Sequence, residues 1–122
     1  MTLEELYREM GGDYQQALRV LRMDKLIDKH IRKFTHNGVI DALLAAGRSM
    51  DPTALFETAH AVKGVCANLG LTSLADVASE ITEEYRPGHP RSLTDAQVKE
   101  LLGRVETLYQ AAADGIRRYE EA

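Results

Sequence analysis

From Val98 to Tyr119 the apolar residues Val98, Leu101, Leu102, Val105, Leu108, Tyr109, Ala112, Ile116 and Tyr119 fall on one stripe of a 3.6-residue period. A stripe of that length is one side of a long helix and has to be laid against other apolar surface. The same period returns upstream in Leu74, Val77, Ala78, Ile81 and Tyr85. It returns again in Leu55, Val62, Val65 and Leu69, with Thr58 and Cys66 at the margins, and in Leu26, Ile27, Ile31 and Phe34. No segment sustains period-two alternation and no internal repeat is visible, so the pattern predicts an all-α chain.

Helix boundaries are written in the residues between the stripes. Thr2 with Glu5 has the spacing of a capping box for a short helix ending at Gly11-Gly12. Asp13 caps a second short segment to about Arg22, and Asp24 opens a third. The turn Thr35-His36-Asn37-Gly38 leads into Val39, Ile40, Leu43 and Leu44, and Gly47 is read as breaking that pattern, so residues 24 to 46 read as one broken or kinked arm. Asp51-Pro52 is a helix start, with a capping carboxylate before a proline whose missing N–H costs nothing at the first helical position. That helix is predicted to run to Leu69 and to close on a left-handed Gly70. Thr72 or Ser73 is expected to cap the next, which stops before Pro87-Gly88-His89-Pro90, and Thr94 with Gln97 supplies another capping box. Short links make successive helices antiparallel. The expected architecture is an antiparallel four-helix bundle over about residues 24–120, with a short helical N-terminal cap over about residues 1–22.

A chain of 122 residues can bury one core and not two, so a single domain is expected. With 44% hydrophobic and 28% charged residues, the composition is that of a globular protein without a membrane-spanning run. The N-terminal stretch is acidic and amphipathic where a signal peptide would be basic and then apolar, which leads to a cytoplasmic expectation. Met1 and the closing helix read as the two ends of a complete protein, and a monomer is the default. Net charge of −4 argues against nucleic acid as a partner, because such binding neutralises phosphates with a basic surface. The lone Cys66 excludes an internal disulfide.

On a helix turning about 100° per residue, Val62 and Leu69 lie almost opposite His60, so His60 is predicted to face water. Phe56, Glu57, Lys63, Gly64 and Ala67 share its face by helical spacing. An exposed imidazole is a nucleophile at neutral pH. Lys63, one turn on, offers a mobile point charge for an anion attached to the ring, and Gly64 and Ala67 leave space above it. A mid-helix glycine costs about 1 kcal/mol relative to alanine, and close approach by a partner is a reason to keep one. His30, His36 and His89 have no partner at a helical metal-binding spacing, and no metal site is expected. Walker-type and kinase glycine motifs are absent from the sequence, so no autokinase activity is expected.

The run Leu55 to Leu69, with its His60-x-x-Lys63-Gly64 core followed by Asn68, Leu69 and Gly70, resembles the histidine phosphotransfer (HPt) domain of bacterial multistep phosphorelays. Gly11-Gly12-Asp13-Tyr14 and the downstream helices extend the likeness over nearly the whole chain. The resemblance implies a phosphocarrier, not an enzyme. His60 would take a phosphoryl group at Nε2 from an aspartyl phosphate on one response-regulator receiver domain and pass it to an aspartate on another, with a hybrid histidine kinase upstream. Lys63 would stabilise phosphate charge, and Gly64, Ala67, Phe56 and Glu57 would form the receiver docking face. Mg²⁺ would belong to the receiver, leaving the carrier without a cofactor. In this family a polar residue on the next helix orients the histidine, and alignment puts that position at Thr82, where glutamine is more familiar. Two rivals stand beside this reading: a degenerate bundle that binds receivers as a scaffold without accepting phosphate, and a ligand- or metal-binding bundle, which would need polar side chains in the core.

Overall fold

The computed structural model describes residues 1–121. Among them are seven helices: α1 (Leu3–Met10), α2 (Tyr14–Leu21), α3 (Asp24–Phe34), α4 (Val39–Ser49), α5 (Pro52–Asn68), α6 (Thr72–Glu84) and α7 (Asp95–Glu121). No strand occurs among the described residues. Helices α4, α5, α6 and α7 pack in a closed ring, each against the next, and the α5–α6 contact is the most extensive. Helix α3 lies on α7 and α2, while α1 lies on α7 and α2. The bundle is all-α, as the periodicity predicts. Of the broken or kinked arm expected over residues 24 to 46, the structure shows the broken form, two separate helices. Asn37 makes the break, its Oδ1 accepting from the Val39 amide at 3.0 Å, with Gly38 ahead of α4 at φ 75°.

Several caps form as the residue pattern requires. Thr2 Oγ1 accepts from the Glu5 amide and Glu5 reaches back to the Thr2 amide, Asp13 Oδ1 accepts from Gln16, and Asp51 Oδ2 accepts from Ala54 at 3.1 Å. Thr94 and Gln97 exchange two such bonds ahead of α7. Each cap satisfies an amide that the helix leaves without a partner, a contribution of about 1 kcal/mol. Helix α6 departs from expectation. Neither Thr72 nor Ser73 caps it; Leu71 holds that position without a side-chain bond, and its amide donates to the Cys66 carbonyl at 2.9 Å, because the link from α5 is too short for a separate cap.

Gly47 does not break α4. The helix runs through it to Ser49, and a Cβ there would stand 2.6 Å from Leu102 Cδ1, so the missing side chain is what lets α7 close on α4. Gly70, at φ 70°, does close α5 in the left-handed region, as expected. Its carbonyl accepts from the Asp13 amide at 2.7 Å, and Tyr7 Oη donates to the neighbouring Leu69 carbonyl at 2.6 Å. The N-terminal helices thereby grip the C-terminal end of α5. Cys66 sits fully buried in the core, deeper than the marginal place its spacing suggests, and burial pushes its thiol up to about 12. Ala59, absent from the predicted stripe, is buried with Leu55, Val62, Cys66 and Leu69, whereas Val65 is only partly covered.

A buried carboxylate organises the link between α6 and α7. Glu84 is 4% exposed and accepts from Arg91 Nε at 2.7 Å, from the Ser92 amide and hydroxyl, and from the Leu93 amide at 2.9 Å. Burial alone raises such a group, but the Leu93 amide, Arg91 and Ser92 outweigh it and hold the carboxyl down at about 2. Arg91 also lies 4.6 Å over the Tyr85 ring. The prolines of the link are thus tied to the end of α6.

Candidate functional site

The site is one face of α5. Its opposite face, Leu55, Ala59, Val62 and Cys66, is fully buried against the bundle, which fixes the rotation of the helix and turns His60 outward, where it is exposed. Asp51 and Pro52 fix one end of α5, and the junction with Tyr7, Asp13 and Gly70 fixes the other. A ring on a helix held at both ends has a defined orientation, which a transfer reaction between two proteins needs.

Around the ring the structure brings together most of the residues that the pattern places there. Phe56 stacks on His60 with centroids 6.0 Å apart and planes inclined by 16°. Phe56 is half-buried, so it supports the imidazole on one side and joins it to the core. Glu57 and Gly64 are exposed, and Lys63 and Ala67 are partly covered. Nothing lies within 4 Å of where a Gly64 Cβ would sit, so this glycine has no packing role within the chain. The face beside His60 is open.

Thr82 does not take the orienting role that alignment gives it. It is fully buried, and its hydroxyl donates to the Ala78 carbonyl at 2.7 Å, within α6. A threonine is too short to leave the α5–α6 seam, and its one donor is spent on the helix. The residues that do reach the site from this side are Glu83, in α6, and Arg86, two residues past its end. Arg86 Cζ lies 5.6 Å from the Phe56 centroid, and Glu83 accepts from Arg86 Nε at 2.7 Å and Nη2 at 2.9 Å. Their spacing is a sequence signal for an ion pair, but only the packing of α6 on α5 places Arg86 over Phe56.

His30, His36 and His89 are exposed, and of the three only His89 lies near enough to Glu83 for its field to act on that carboxyl. No group of three or more His, Cys, Asp or Glu among the described residues is placed to hold a metal ion. Among them no helix is long and apolar enough to cross a membrane.

Fold and site together define a helical bundle that offers one solvent-facing histidine, flanked by a lysine and an uncovered glycine, to another molecule. The Hpt domain family model matches residues 2–115, and the chain belongs to that family. No curated protein and no solved structure gave a significant match. Hpt domains are phosphocarriers rather than enzymes; they serve phosphorelay signalling and interact with receiver domains and histidine kinases.

Proposed function

We propose that His60 is the phosphoacceptor and that this protein relays a phosphoryl group between aspartates of response-regulator receiver domains. The observation that carries the reading is the exposure of the His60 ring on a helix whose opposite face is sealed in the core. In the transfer, the Nε2 lone pair of a neutral imidazole attacks phosphorus. The P–O bond to the receiver's aspartate breaks with its electron pair leaving on the carboxylate, an N–P bond forms, and Nδ1 keeps its proton. The reverse step discharges the ring onto a second receiver.

Lys63 offsets charge on the phosphoryl oxygens, and Gly64, Ala67, Phe56 and Glu57 make the surface on which the receiver rests. Mg²⁺ and most of the catalytic machinery are assigned to the receiver, and the carrier acts as a monomer in the cytoplasm without a cofactor or kinase activity of its own. A hybrid histidine kinase carrying a receiver domain is the upstream partner.

Incubation with a phosphorylated receiver tests this. Label is expected to move to the bundle in a form labile to acid and stable to base. Binding of the receiver without transfer of label would instead make the protein a scaffold.

A further inference from the structure

Next to the acceptor ring, α6 supplies an anion already in place. The Glu83 carboxylate grips Arg86 through two bonds, 2.7 and 2.9 Å long, and both partners are about half exposed. Arg86 in turn lies over Phe56, which also stacks on His60. The Arg86 hydrogen bond holds the Glu83 carboxyl below its usual range against the opposing effect of burial, and the fields of Lys63 and His89 add to it. Arg86 is bonded to this carboxylate, whereas Lys63 and His89 act on it through their fields alone. Thr82 has no donor left to offer a phosphoryl group, whereas Lys63, on the acceptor's own helix, and Arg86, over Phe56, each carry cationic donors.

We infer that Glu83 is a placeholder anion: it engages Arg86 while His60 is bare and releases it when His60 carries a phosphoryl group, so it sets how much phosphoryl the bundle holds at equilibrium. This rests on His60 being the acceptor. The exchange swaps ion-pair partners and breaks no covalent bond. It runs in this direction because a half-exposed ion pair is weakly held, whereas a phosphoryl group brings between one and two negative charges and three strong acceptor oxygens. Glu83 is a positioning residue here, acting through Arg86. A carboxylate that competes with the phosphoryl group lowers the bundle's share of it, and removing that carboxylate raises the share.

The test measures the equilibrium ratio of bundle-bound to receiver-bound label, starting from a phosphorylated receiver at concentrations where complexes are a minority. Under those conditions the ratio does not depend on how tightly the two proteins dock, so a mere docking role for Glu83 leaves it unmoved. Glu83→Gln is expected to raise the ratio about three-fold at low salt, the scale of one exposed ion pair, and less at high salt, where such charges are screened. In an Arg86→Ala background the gain from Glu83→Gln should shrink. An unchanged or lower ratio in Glu83→Gln, a rise that high salt leaves intact, or a full gain without Arg86 overturns the inference. Wild-type protein that takes no label overturns the acceptor assignment and this inference with it; labelled wild type with an unmoved Glu83→Gln ratio overturns this inference alone. Melting curves of the variants, expected to match wild type, establish that the fold is intact.

Discussion

Replacing Gly64 by alanine and by glutamine separates what this position does for the fold from what it does for a partner. A glycine inside a helix costs about 0.8–1.0 kcal/mol relative to alanine, through lost backbone entropy. At Gly64 no neighbour within 4 Å offsets that gain, because a Cβ there meets only open space. Gly64→Ala should therefore stabilise the bundle by about 0.8 kcal/mol and raise Tm by roughly 3 °C for a domain of this size, and Gly64→Gln should do almost as well. Phosphoryl transfer should move the other way. A glutamine side chain standing on a rigid docking face has to be accommodated at about 1–3 kcal/mol, the usual scale of overpacking, which is roughly a 5- to 150-fold loss in kcat/KM from a phosphorylated receiver. Thermal melts followed by circular dichroism, alongside single-turnover transfer with excess receiver, give both quantities. A Gly64→Gln protein that transfers at the wild-type rate would refute the docking assignment, and a destabilised Gly64→Ala protein would refute the packing argument.

At Gly70 the expectation is the opposite. With φ at 70° and the Asp13 carbonyl pressed against the place of a Cβ, Gly70→Ala should cost about 3 kcal/mol, from left-handed strain of roughly 1–2 kcal/mol and the damaged bond to the Asp13 amide; a chemical-denaturation midpoint equal to wild type would contradict it. Glu84 gives the fold a pH dependence. Its carboxyl falls from an ordinary 4.5 to about 2 on folding, so its stabilisation is present above pH 4.5 and fades as pH drops toward 2. Of at most about 3 kcal/mol, water around the partly exposed Arg91 leaves about 1–2 kcal/mol. Glu84→Gln should lose that much at pH 7 and flatten the stability profile between pH 4.5 and 2, and an unaltered profile would count against the clasp. Lys63→Ala should slow transfer to His60 roughly ten-fold without stopping it, seen in the same single-turnover assay; an unchanged rate would remove Lys63 from the chemistry.

Much of this arrangement could be read in the residues. Caps such as Thr2, Asp51 and Thr94 are local, so their spacing alone reveals them, and the exposure of His60 follows from its angle to Val62 and Leu69 on a single helix. What escaped depends on how helices lie against each other. Gly47 looks like a breaker because a glycine's helical penalty is the same whether it ends a helix or clears room for Leu102, a residue distant in sequence. Thr82 was assigned by alignment, which counts positions but not the reach of a side chain; being shorter than glutamine, it stays in the α5–α6 seam. Arg86 and Glu83 reach the site because the short turn through Gly70 folds α6 back along α5. The Glu84 clasp joins a helix end to a proline-containing link, and no periodic pattern describes such a contact.

The central claim is that the phosphoryl group rides on the ring of His60. Phosphorus NMR of the protein after incubation with a phosphorylated receiver, with wild type and His60→Gln side by side, tests it most directly. The account predicts a single phosphohistidine resonance in wild type and none in His60→Gln, with equal melting temperatures because the ring lies outside the core. The same resonance in His60→Gln would place the acceptor elsewhere and contradict it.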